Sequence, residues 1–245
     1  MPKAESAPLA GRCAVVTGGT RGIGAAIARH LLADGAAVTV TGTSAEGAAQ
    51  APEGCGYVAA DFTDPRSLDE CAARLTELAP DILINNAGIN KVGPFAEIDP
   101  ADFTRIQAVN VTAPFRLIQA VLPAMKQRQW GRIVTISSIW GKISKEGRAP
   151  YSASKFAVDG MTAALSAEVA QFGILANCVA PGFIDTELTR RVLGQAGIDE
   201  MAAKVPARRL GRPEEVAAFV AWLAGPQNTY VSGQNIAVDG GFTRV

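Results

Sequence analysis

The sequence predicts a single α/β domain built on a doubly wound parallel sheet with helices on both faces. Three observations lead there. Short apolar runs alternate with helical segments from Cys13 to Val238, the order of a parallel sheet covered on both sides. The 245 residues, 48% apolar and 19% charged, suit one large domain with a full core. Glycines, amides and hydroxyls gather where the apolar runs end, and in such sheets ligands bind outside the carboxyl ends of the strands.

Residues 1–10 are polar and proline-containing and are expected to form a flexible leader without a signal core. The first strand, Cys13 to Thr17, runs into Gly18-Gly-Thr20-Arg21-Gly22-Ile23-Gly24 and then a helix from Ala25 to Asp34 that Gly35 can cap. Strand, glycine turn and helix present backbone N–H groups and a positive helix end to a pyrophosphate. An ordinary tight turn is the competing reading. The second strand, Ala37 to Thr41, ends in Gly42-Thr43-Ser44. No Asp or Glu occupies residues 41–45 to grip a ribose 2′-OH and repel a 2′-phosphate. The hydroxyls of Thr41, Thr43 and Ser44, with Arg21, instead offer partners to a 2′-phosphate. That favours NADP(H) over NAD(H), with nearby Glu46 as the counter-argument.

Tyr57 to Asp61 is the third strand, and Asp61 can contact adenine or merely cap the segment beyond it. A surface helix is expected from Pro65 to about Leu78. The fourth strand, Asp81 to Ile84, leads into Asn85-Asn86-Ala87-Gly88, which suits close passage of a cofactor or a simple turn. Pro100 to Gln127 reads as one long helical stretch, with Asn110 inside it and Pro114 and Pro123 interrupting. A kink at Asn110 would free a carbonyl and can bind an ordered water. The fifth strand, Arg132 to Ser138, is followed by a loop and a helix from Tyr151 to Phe172. Few charges break that helix, and its apolar faces predict a homo-oligomeric interface. The sixth strand, Ile174 to Val179, ends in Pro181-Gly-Phe-Ile-Asp-Thr186, and residues 183–205 are expected to form a flap over the substrate. A proline-started helix to about Ala224 and a last strand, Asn235 to Val238, complete the chain.

Composition removes several function classes. The net charge is zero, which leaves no electrostatic footprint for nucleic acid or an anionic membrane. No run reaches membrane-span length, and the cytoplasm is the expected location. Four scattered cysteines without a Cys-x-x-Cys pattern read as reduced and structural, and no metal site is predicted. His30, the only histidine, lies in an alanine-rich helical segment and reads as a packing residue. Proton chemistry must therefore use another residue type.

Tyr151-Ser-Ala-Ser-Lys155 supplies one. Residues four apart share a helix face, so Lys155 is expected to pull the Tyr151 pKa down from about 10. Tyr151 then becomes a candidate acid/base, and Ser138, at a strand's carboxyl end, can bond the same substrate oxygen. With three tyrosines and seven lysines, such a pair arises by chance in roughly one sequence in ten, so it gains weight only with the glycine turn, residues 85–88 and Ser138 beside it.

In order and spacing, Thr17 to Gly24, Asn85 to Gly88, Asn110, Ser138, Tyr151 to Lys155 and Pro181-Gly182 resemble the classical short-chain dehydrogenase/reductase family along nearly the whole chain. The resemblance implies a Rossmann-type sheet of about seven strands and a homotetramer. It implies a tetrad in which Tyr151 is the acid/base, Ser138 orients the carbonyl, Lys155 holds the nicotinamide ribose and Asn110 anchors a relay water. Cofactor contacts would extend to Thr20, Ile23, Phe62, Asn86, Ala87, Gly88, Pro181, Gly182, Ile184 and Thr186. Substrate contacts would come from Ser138, Trp140, Arg148, Tyr151 and Phe183, with Arg148 steering an anionic or polar substrate or simply lying exposed in its loop. The chain looks most like the 3-oxoacyl-thioester reductases, which implies reduction of a ketone by NADP(H). Oxidation of a polyol, sugar or steroid alcohol by the same residues is the alternative, and a non-catalytic dinucleotide sensor the alternative of another class. Relatives that dock acyl carrier protein tend to carry arginines where this chain has Gln129 and Phe172. Arg128 and Arg132 remain, so that partner stands as possible but doubtful.

Overall fold

The computed structural model describes residues 7–245, apart from the side chains of Leu188, Val192 and Leu193. Seven strands form one sheet: β1 (Cys13–Val16), β2 (Ala37–Gly42), β3 (Gly56–Ala59), β4 (Ile82–Asn85), β5 (Gly131–Ile136), β6 (Ile174–Pro181) and β7 (Asn235–Val238). Their order is β3-β2-β1-β4-β5-β6-β7, and every neighbouring pair is parallel. The chain winds outward from β1 to β3, returns to the middle, and winds the other way from β4 to β7. That reversal opens a crevice at the carboxyl ends of β1 and β4.

The helices are α1 (Gly22–Ala33), α2 (Pro65–Leu78), α3 (Pro100–Gln107), α4 (Ala113–Arg128), α5 (Ala149–Val169), α6 (Glu187–Lys204) and α7 (Pro213–Ala224). Strand alternation divides the core into two layers. Val16, Ile84 and Val134 face Ile27 and Leu31 of α1 and Val220 of α7. Val15, Leu83 and Ile133 face Leu75 of α2, Leu117 of α4 and Val169 of α5. With both faces covered, these strands are apolar nearly throughout, which is why they stand out in the sequence. The starts of α2 and α3 fall where expected. Asp64 and Asp99 each accept the N–H two residues on, from Arg66 at 3.0 Å and Ala101 at 2.8 Å, and a proline follows each cap.

Two expectations need correcting. A π-helical turn, Ala108–Thr112, divides the long stretch at Asn110, but Pro123 does not interrupt it: α4 runs on to Arg128. Pro123 lies on the exposed side, so the carbonyl deprived of its partner can face solvent. Residues 7–10 are not a loose leader, because Leu9 is buried under α1 and its N–H donates to Asp34 O at 2.8 Å; residues 1–6 lie outside the described residues. Within α6, Gly194 is non-helical (φ 62°, ψ 179°), so two helical segments meet there. Among the described residues no helix is long and apolar enough to cross a membrane.

Candidate active site

Thr17, the residue after β1, closes the floor of the crevice. Its hydroxyl oxygen accepts the N–H groups of Asn86 and Ala87, each at 3.0 Å, and the Asn86 side chain donates back to the Thr17 and Gly18 carbonyls at 2.9 and 3.0 Å. This clasp joins the turn after β1 to the turn after β4. It also leaves no room for larger residues: a Cβ on Gly24 would stand 2.4 Å from Gly18 O, and one on Gly19 2.6 Å from a Val40 methyl. Arg21 caps α1 with no side-chain hydrogen bond, which leaves the N–H groups of the first turn for an anion. Thr186, at the start of α6, lies against Gly22 from the other side. A glycine cradle, an uncapped helix end and a covering segment fit a dinucleotide.

The reacting centre lies at the end of β5. Ser138 follows that strand, is buried, and accepts the Trp140 N–H at 3.2 Å. Tyr151 stands in the first turn of α5, half-buried and close enough to Ser138 for a hydrogen bond. Lys155, one turn on, is buried and donates from Nζ to Ile136 O at 2.7 Å, with Nζ 5.5 Å from the centre of the Tyr151 ring. Burial pushes the Tyr151 pKa up, partly offset by the Ser138 hydrogen bond and the charge of Arg148. Burial pushes Lys155 down to about 8. The expected lowering of Tyr151 by Lys155 is thus not what this arrangement produces: the ammonium is spent on a carbonyl, and removal from water outweighs it.

The π turn places Asn110 beside these groups. Its Oδ1 accepts the Ile89 N–H at 2.9 Å, and its Nδ2 donates to Ile89 O at 2.9 Å and Ser154 Oγ at 3.0 Å. Both amide protons and one lone pair of the side chain are thus used in tying the segment after β4 to α5.

Several expected contacts sit elsewhere. Thr41 is buried and its hydroxyl oxygen accepts the Gly18 N–H at 3.2 Å, so it shapes the glycine turn instead of facing a phosphate. The Phe62 ring lies in the core against α2. Asp61 receives the Thr63 N–H and hydroxyl at 2.9 and 2.7 Å and so caps its own turn. Thr43, Ser44 and Arg21 are exposed at the end of β2, where the Ser44 hydroxyl bonds the Glu46 carboxylate and lowers its pKa. Thr20 lies against Gly42 on the same rim. Ile23 packs beside the α1 layer, Ile184 is buried, and Gly182 abuts Asp239 just beyond Pro181. Phe183 and Trp140 meet edge-on at 6.3 Å, each also packed edge-on against Phe242. Gly88 stands next to Asn110 and Lys155. His30 occupies the last turn of α1, the end away from the crevice.

One contributor carried no sequence signal of its own: the Tyr57 hydroxyl donates to Ser44 O and fills the space beside Gly42 and Gly47, fixing the turn after β2. Arg132 is not available for docking, because it is buried and donates to the carbonyls of Gly131, Gly173 and Asn228, whereas Arg128 pairs with Asp81 at 3.2 Å but stays exposed.

The family model described as "Enoyl-(Acyl carrier protein) reductase" matches residues 18–243. The 3-oxoacyl-[acyl-carrier-protein] reductase FabG of Vibrio cholerae is 39% identical over 239 residues, covering 95% of this chain and 98% of that protein. Among solved structures, gluconate 5-dehydrogenase from Burkholderia cenocepacia, in complex with NADP and tartrate, superposes with a TM-score of 0.90 at 33% identity, covering 98% of each chain. A blue fluorescent protein from a metagenomic library, in complex with NADPH, gives 0.87 at 38%, covering 96% of this chain and 99% of that one.

Proposed function

The chain belongs to the short-chain dehydrogenase/reductase family, and on that premise we propose that it reduces a small ketone to a secondary alcohol with NADP(H). The observation that carries the reading is the meeting of Ser138, Tyr151 and Lys155 beside a cradle of dinucleotide shape. Bound NADPH supplies the hydride for the carbonyl carbon. Tyr151, which burial keeps protonated, gives its proton to the carbonyl oxygen. Ser138 would hold that oxygen, and Lys155, next to Gly88, would hold the nicotinamide ribose. Preference for NADP rests on the acid-free residues 41–45 and the exposed Arg21, and both structural relatives above contain that cofactor. We read α6 and the residues before it as the substrate flap and the assembly as a homotetramer in the cytoplasm. Docking of acyl carrier protein would need residues other than the buried Arg132. The gluconate 5-dehydrogenase likeness favours a second reading, oxidation of an alcohol with Tyr151 as the base.

Tyr151→Phe tests the mechanism. It is expected to leave NADPH binding intact, and tighter than NADH binding, while kcat falls by at least about 10². Full activity in the variant sinks the mechanism, and tighter NADH binding sinks the cofactor assignment.

A further inference from the structure

Arg148 brings a positive charge to the cleft that no carboxylate among the described residues neutralises. It is the residue before α5, and its carbonyl accepts the Ser152 N–H at 2.8 Å, so the helix start uses its backbone and not its side chain. The guanidinium lies over Trp140, with Cζ 5.8 Å from the ring centre, and Lys145 Nζ approaches the same ring to 5.5 Å. Arg148 Nε is buried without an acceptor, and no carboxylate pairs with the group among the described residues. Several other arginines are paired, Arg12 and Arg128 with Asp81, Arg190 with Asp185 and Arg209 with Glu215, while the buried Arg132 donates to three carbonyls but leaves its Nε without an acceptor. Leaving a guanidinium half-buried without a counter-charge is costly, and a planar fork of donors matches a carboxylate. Arg148 lies over Trp140, two residues after Ser138, and three residues before Tyr151, so its charge stands close to the reacting groups.

We propose that Arg148 binds a carboxylate of the substrate, so that the enzyme acts on small oxo or hydroxy acids in preference to neutral ketones or thioesters. This rests on the hydride-transfer reading of the cleft. A thioester has no charge near its ketone and would cover Arg148 with a neutral chain. Trp140, 5.8 Å from the guanidinium carbon, would form one wall of the site that holds the carboxylate.

The test compares 3-oxobutanoate with its methyl ester, in wild type, Arg148→Gln and Arg148→Lys. Turnover is followed by NADPH consumption. Binding of 3-hydroxybutanoate and its methyl ester to the NADP-loaded enzyme is followed by calorimetry. Wild type is expected to favour the acid in kcat/KM and in binding by at least about tenfold, the worth of one charge-assisted contact. Arg148→Gln should erase that ratio and Arg148→Lys restore part of it. An acid-to-ester ratio unchanged by Arg148→Gln, or equal binding of acid and ester to wild type, overturns the proposal. If no ketone is turned over, the reductase reading fails, and the calorimetric ratio still decides the carboxylate site.

Discussion

Lys155 is an ammonium in a place that favours its neutral form. Its pKa stands at about 8, against 10.5 in water, because burial outweighs the single bond to Ile136 O. Below pH 8 the lysine is charged both folded and unfolded, and the folded state carries a cost on the order of 3 kcal/mol. Between pH 8 and 10.5 the unfolded chain binds more protons, so stability rises with pH. Lys155→Met should therefore be inactive yet more stable at pH 7 by about 1–2 kcal/mol, once the orphaned Ile136 carbonyl is discounted. Urea unfolding at pH 7 and pH 10 measures this, and a gap that fails to shrink at the higher pH contradicts it. The identities of Tyr151, Lys155 and Ser138 were legible because helix spacing and strand ends follow from the sequence. The direction of the Tyr151 shift was not, because burial depends on what α5 packs against. Tyr57 escaped notice for the same reason: only the parallel pairing of β2 with β3 brings it to the turn it fixes.

The π turn shows what an element can do that a residue cannot. Widening one turn carries Asn110 inward to meet Ile89 and Ser154 together. Asn110→Leu would leave the Ile89 N–H and carbonyl unpaired, with an expected loss of about 2–4 kcal/mol in stability and at least about tenfold in kcat. Denaturant unfolding alongside steady-state rates checks it, and a stable, fully active variant would refute the tether. The break at Asn110 was readable because asparagine favours neither a helix interior nor its hydrogen bonds. Pro123 was misleading because a proline's effect depends on which side of the helix it faces. The division of labour in α5 was partly visible: its near-absence of charge marked an unusual helix, but not which stripe stays open.

Across the whole molecule, that stripe stands beside two exposed rings, Phe115 on α4 (48%) and Phe156 on α5 (46%). Gly160 lies on the same exposed side of α5, and a Cβ there would meet nothing within 4 Å. Within one protomer a bulky residue at 160 is tolerated, so Gly160→Trp should reduce a tetramer of the 25.4 kDa chain to smaller, folded species in sedimentation velocity. Unchanged sedimentation would remove α5 from the interface. The parallel sheet was legible in the succession of strands and helices and its count of about seven strands in the short-chain family resemblance, whereas the clasp at Thr17 emerges only once β1 and β4 lie side by side. The edge-on trio of Trp140, Phe183 and Phe242 has a practical consequence. Trp130, stacked between Arg12 and Arg132, and Trp222, on α7, are held in other parts of the fold, so replacing both with phenylalanine leaves one indole at the cleft. Its emission would then act as a built-in optical gauge of the packing of Trp140 against Phe183 and Phe242, readable in real time without an attached label.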